Sequence, residues 1–241
     1  VPPTPSTFAD LLAQQTRPAA DPGRPLVTWY GAQPGERVEL SVTSWANWVA
    51  KTASLLQDEL DVERGDEVLL DLPSHWLGPV WLGACWALGA VAVAPDAGHH
   101  DPALVVCGPA TLPDHVAAGR RVVATSLSAL GTRFTEPLPA GVVDLGEVVW
   151  GQPDAFTSWD PPRPADPAWA DAQGTLAQSD VLDLRVEGTG GPLRAATAAV
   201  PVSRLGATLL VHALGSGGGT VWVADPDRLP EVAATERAVT C

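Results

Sequence analysis

From Trp45 to Leu60 apolar residues return at the three- and four-residue spacing of one helix face: Trp45, Trp48, Val49, Thr52, Ala53, Leu56 and Leu60. The pattern predicts an amphipathic helix with Thr43 as its cap. Gly65-Asp66 then introduces a strand over Glu67–Leu72. The segment Trp76–Leu88 is apolar on every side and stops at Gly89, which predicts a wholly buried helix followed by a strand over Ala90–Ala94. Upstream, Thr7-Phe8-Ala9-Asp10 reads as a capping box, with Phe8, Leu11 and Leu12 on one face of a short helix. Leu26–Tyr30 and Arg37–Val42 flank the turn sequence GAQPGE and predict an antiparallel pair. Further strands are predicted at Ala103–Cys107, Arg121–Ala124, Val142–Asp144 and Val181–Val186. A helix over Ser203–Leu214 and a strand over Thr220–Ala224 complete the pattern. Elements alternating in this way predict an α/β fold with a doubly wound sheet. The chain is expected to form a single domain, 1–241, with a lobe boundary in the Pro/Trp-rich loop 151–167.

Composition narrows the functional classes. With 241 residues, 46% hydrophobic and 17% charged, the chain supports a sizeable core and does not suit disorder. A net charge of −14 leaves no basic stripe for phosphates, so nucleic acid is not an expected partner, and an acidic membrane surface would repel the chain. Leu72–Pro95 lacks Asp, Glu, Lys and Arg, but Pro73, Pro79, Gly83 and Gly89 divide it into a helix and a strand rather than a membrane span. The opening residues have neither a basic nor an apolar leader region. Three widely spaced cysteines, Cys85, Cys107 and Cys241, suit reduced thiols, so a cytoplasmic protein is expected. The expected partner is an unassigned protein or small molecule.

The stretches VELSVTSWANWVAKTASLL, VERGDEVLLDLP and WLGACWALGAVAVAP resemble the start of acyl-CoA synthetases and other AMP-binding, adenylate-forming enzymes. LLVHALGSGGGTVWVADPDRLPEVAATERAVT resembles a later helix, glycine turn and strand of the same domain. Together they cover about half the chain. The whole resembles an uncharacterised actinobacterial family of short proteins related to those synthetases. The resemblance implies the fold of the N-terminal domain of adenylate-forming enzymes, doubly wound α/β with layered, mostly parallel sheets, in truncated form. The activity it implies is ATP-driven activation of a carboxylate, a reaction that needs fixed positive charge around the polyphosphate.

That charge is scarce here. Lys51 is the single lysine and is expected to face solvent on its helix. The family's phosphate loop reads roughly [Ser/Thr]-Gly-Thr-Thr-Gly-x-Pro-Lys. The nearest string, Glu187–Arg194, is one residue short and has Leu193 where the lysine would stand. It supplies the candidate nucleotide-binding residues Gly188, Thr189, Gly190, Gly191 and Arg194, with Arg194 as a substitute cation. Taking register from the later helix–turn–strand unit instead puts the phosphate loop near Asp166–Thr175, where DPAWADAQGT has no hydroxyl cluster and no lysine.

Other constellations are bland. Gly215–Gly219 follows a helix, whose carboxyl end repels phosphate. His99-His100-Asp101 reads as a loop, and no metal ligand is assigned. His75, His115 and His212 read as structural, and Cys85 as a buried thiol with a raised pKa. Trp150, Trp159 and Trp169 border the loop and, if clustered, would form a docking surface or a ligand wall. No catalytic residue is assigned. The expected function is that of a catalytically degenerate relative of adenylate-forming enzymes, a small-molecule-binding or protein-interaction module without a cofactor. Two alternatives remain: weak or partner-dependent carboxylate activation with ATP and Mg, or an unrelated pocket at the carboxyl edge of the sheet.

Overall fold

The computed structural model describes residues 4–98, 101–189 and 191–241. Helix α1 (Phe8–Gln15) opens on the expected capping box: Thr7 accepts from the Asp10 amide, and the Asp10 carboxylate accepts from the Thr7 amide. Strands β1 (Pro25–Tyr30) and β2 (Arg37–Ser41) pair antiparallel across the Gly31–Glu36 turn, as the sequence predicts. Strand β2 runs straight into α2 (Val42–Ser54), so the helix starts earlier than expected. Its cap is Ser41, whose Oγ accepts from the Ser44 amide at 3.1 Å, while Thr43 donates instead to the Pro22 carbonyl. The last turn of α2 widens over Leu55–Glu59, with the Leu60 amide reaching back to the Leu55 carbonyl.

Strand β3 (Glu67–Asp71), helix α3 (Leu77–Leu88), strand β4 (Val91–Val93) and strand β5 (Leu104–Cys107) follow. Then come α4 (Leu112–Ala117), β6 (Val122–Ala124), β7 (Val143–Asp144) and α5 (Leu145–Val148). The chain continues through β8 (Pro167–Asp171), β9 (Gly174–Ala177), α6 (Gln178–Leu182) and β10 (Arg194–Thr197). It closes with α7 (Arg204–Ser216), β11 (Gly219–Val223), α8 (Leu229–Glu236) and β12 (Val239–Thr240).

Two sheets result, in the orders β12-β10-β11-β1-β2 and β7-β6-β5-β3-β4-β8-β9. Each is parallel except for one antiparallel edge, β1/β2 in the first and β8/β9 in the second. Every residue of α3 is buried, which accounts for its apolar surface on all sides. It packs on α1, α2 and α7 and against β3 and β4. A Cβ on Gly83 would lie 2.7 Å from the Val49 side chain and 2.8 Å from Trp45, so glycine sets how closely α2 and α3 approach. Gly89 ends α3 in the left-handed region, at φ 96°.

One expected strand is a helix. Residues Val181 and Leu182 belong to α6, not to a strand over Val181–Val186. The Asp180 carboxylate caps it through the Ala177 amide, and Gln178, fully buried, donates to the Trp86 carbonyl and accepts from the Phe8 amide. These contacts span up to 170 residues and leave no local trace. The 151–167 loop is pinned rather than free. Lys51, expected to face solvent, donates to the Gln152 carbonyl and pairs with Asp154 at 3.0 Å. Arg64 pairs with Asp160 and Asp166. Among the described residues no helix is long and apolar enough to cross a membrane.

Helix α8 is fastened to the first sheet by Glu236, which Tyr30, Arg37 and Arg194 all contact. Burial raises the Glu236 carboxyl, but hydrogen bonds from Tyr30, Arg194 and Arg37 outweigh it and lower it from 4.5 to about 2. A depressed acid stabilises the fold fully above its unfolded value, and that contribution fades as pH falls through the folded one. The urea midpoint of the protein is therefore expected to fall between about pH 5 and about pH 2 more steeply than that of Glu236→Gln. The variant should already be less stable at neutral pH, and denaturation at a series of pH values checks both.

Candidate functional site

In the second sheet the chain passes from β3 to β4 on one side, then crosses back to β5 on the other side of β3. The strand order reverses there, and in open α/β sheets the crevice outside such carboxyl ends is where ligands settle. A cleft of about 690 Å³ occupies this place. Asp71 and Pro73 leave β3, Pro95 and Asp96 leave β4, and Gly108 to Thr111 leave β5. The remaining wall comes from Leu127 and from Val200, Val202 and Ser203 ahead of α7. The volume falls in the range of small-molecule sites, and the lining is mainly apolar.

Its polar groups are few. The Asp71 carboxylate accepts from His115 Nε2 at 2.8 Å. Arg120 can only donate, so its 3.0 Å contact makes His115 Nδ1 an acceptor and puts the ring proton on Nε2. His115 thus orients Asp71 from behind, and it is not in the cleft lining. Ser203 Oγ donates to the Val200 carbonyl and accepts from the Gly206 amide, so it works as the cap of α7. No Lys, Arg or His lines the cleft among the described residues. Among the described residues that line it, the cleft brings no nucleophile beside a base.

Beside the cleft, where register from the later unit places a phosphate loop, the chain makes the β8/β9 hairpin. Its turn spans only Asp171 to Gly174. Asp171 is buried and all its acceptor capacity is used internally. Oδ1 accepts from Arg204 Nη2 at 2.7 Å and from the Gln173 amide at 2.8 Å. Oδ2 accepts from Arg204 Nε and from Trp169 Nε1, each at 2.8 Å. Burial raises this carboxyl, but Arg204, Trp169 and Gln173 outweigh it and hold it below its ordinary value. The turn carboxylate is therefore fully bound, and Arg204, reaching over from α7, is spent on it.

The string Glu187–Arg194 lies elsewhere. Gly188 and Thr189 are exposed, and Gly191 is half-buried. Gly190 lies outside the described residues. Gly188 takes φ 75°, and a Cβ there would meet open space. Thr189 donates to the Val186 carbonyl at 2.7 Å. The segment enters β10 at its amino end, the edge opposite to the ligand-binding one. Arg194 is bound to Glu236 and donates to Thr28 at 3.1 Å, so its charge is committed inside the first sheet.

Among the described residues no group of three or more His, Cys, Asp or Glu is placed to hold a metal ion. His99 and His100 lie outside the described residues. The Cys85 thiol is pushed up to about 12 by burial. Of the loop tryptophans, Trp169 is buried, while Trp150 and Trp159 are 55% and 78% exposed. Trp150 packs edge-on against Trp48, 5.1 Å between centroids, and Trp48 against Trp76. Sequence reasoning did not single out Asp71, Asp96, Asp171 or Arg204. The Asp171–Arg204 pair is 33 residues apart, and no periodicity links its members.

The two layered sheets have the fold of the N-terminal domain of adenylate-forming enzymes, as the resemblance implies. An acyl-CoA synthetase of Brucella canis matches over 97% of this chain and 46% of its own, with TM-score 0.76 and 15% identity. Coronafacic acid ligase of Pectobacterium brasiliense matches over 95% and 47%, with TM-score 0.73 and 12% identity. The N-terminal domain of FACL13 of Mycobacterium tuberculosis matches over 96% and 61%, with TM-score 0.72 and 13% identity. At such identities the likeness is one of fold. No family model matches the sequence. A TIGR03089 family protein of Mycobacterium tuberculosis is 36% identical over 150 residues, 61% of this chain and 60% of that protein. The chain is homologous to that actinobacterial protein, and it spans about half the length of the Brucella canis and Pectobacterium brasiliense structures.

Removing the arginine of the hairpin leaves a buried carboxylate without its counter-charge. Arg204→Ala is expected to cost about 2–4 kcal/mol of stability in urea unfolding. Adding Asp171→Asn should recover part of that loss, because the orphaned charge goes with it.

Proposed function

We propose that this protein is a catalytically degenerate relative of the adenylate-forming enzymes, a binding module whose ligand enters the cleft beyond β3 and β5. The observation that carries this reading is the closed Asp171–Gly174 turn, in which a carboxylate and its arginine stand where a polyphosphate would need cations and free amides. The candidates Gly188, Thr189, Gly191 and Arg194 add nothing to such a cradle, since they sit at the amino edge of the first sheet with Arg194 held by Glu236. The residues present do not fit ATP with Mg. The chain is proposed to behave as one unit, because the 151–167 loop is tied to α2 by Lys51 and to the turn ahead of β3 by Arg64. Its free thiols suit the cytoplasm.

A second reading is partner-dependent carboxylate activation. It draws support from the share of length covered: the solved relatives carry about as much chain again, which would have to furnish the phosphate site from outside these residues.

Titration calorimetry with ATP and Mg, AMP and an acyl-adenylate analogue separates the two. No binding in the micromolar range is expected, and no pyrophosphate exchange with any of a panel of carboxylic acids. Micromolar ATP binding or acid-dependent exchange would overturn the degenerate reading.

A further inference from the structure

The charge of the cleft runs against the substrates of a carboxylate ligase. Two carboxylates, Asp71 and Asp96, line a space that is otherwise walled by proline, leucine and valine, and no described cation faces it. Among the described residues Asp71 accepts from one side chain, His115, whose other ring nitrogen accepts from Arg120. Only Oδ2 is taken in that contact, and Oδ1 has no donor among the described residues. Asp96 is exposed on the short turn after β4. Arg204, next to the lining residue Ser203, is consumed by Asp171.

A carboxylate entering here would meet the like charge of Asp71 and Asp96 with no counter-charge among the described lining residues, while an ammonium would meet two acceptors and an apolar wall for its body. We infer that the cleft binds a protonated primary or secondary amine carrying a hydrocarbon or aromatic body, and that it rejects carboxylic acids. The ammonium sits between Asp71 and Asp96, and the body lies against Leu127, Val200 and Val202. The assignment rests on the reading of this cleft as the ligand site. It goes beyond that reading by reversing the charge preference that a ligase scaffold would carry.

Matched titrations of the full chain with octylamine, octanoate and 1-octanol test it. Octylamine is expected to bind at least about tenfold more tightly than octanoate, with the ratio shrinking as salt screens the carboxylates. Asp96→Asn, on an exposed turn, should weaken octylamine several-fold without moving the thermal midpoint, and Asp71→Asn should weaken it further. Val200→Trp fills the mouth of the cleft and should abolish octylamine binding. Octanoate bound as tightly as octylamine would overturn the inference, as would octanol bound as tightly as the amine. So would octylamine binding that survives Val200→Trp, since that would be general attraction to an acidic surface. Octanoate or octanol binding that Val200→Trp removes would sink the charge assignment alone and leave the binding-module reading standing. ATP binding or pyrophosphate exchange would sink that reading separately.

Discussion

A twelve-residue helix with no polar face can exist in water only if other elements cover it on every side, and α3 imposes that condition on the whole chain. Helices α1, α2 and α7 and strands β3 and β4 all supply cover. Gly83 lets α2 come within side-chain contact, and Trp86 donates its indole N–H to the Ala168 carbonyl of β8. Gln178 then bridges the α3 carbonyl at Trp86 to the α1 amide at Phe8. The two sheets are thereby drawn to one apolar core, and their carboxyl edges come to lie near the start of α7. The cleft is the space left where that convergence stops.

Positive charge is the second constraint. With 14 Lys and Arg against 28 Asp and Glu, cations here are used as fasteners. Arg37 and Arg194 secure α8 through Glu236, Arg64 secures the loop ahead of β8, and Arg204 closes the hairpin. Each is matched to a carboxylate already in place.

What the sequence displayed was mainly periodicity. The α2 face, the all-round apolar α3, the Thr7 capping box and the Gly31–Glu36 turn are local patterns, and each was readable as written. The fold class followed from their alternation and from the resemblance. Residues whose role depends on distant partners were not readable. Val181 and Leu182 have strand-like composition but turn helical because Gln178 is anchored to α1 and α3. Lys51 falls on the polar side of its helical wheel yet finds Asp154 across a loop. The candidate string Glu187–Arg194 matched by composition while its place in the sheet, at the amino edge, was invisible. The cleft was legible only as a general expectation about carboxyl edges, since its lining comes from segments as far apart as Asp71 and Ser203.

The Lys51 contact has a chemical corollary. Side-chain amines are the targets of acylating reagents and of lysine-modifying enzymes, and in this sequence there is one such group, only 17% exposed and engaged with Gln152 and Asp154. Acetylation there would erase the charge and unhook the loop from α2 in a single stroke. The degree of labelling of that amine is thus a built-in gauge of how tightly the loop is closed.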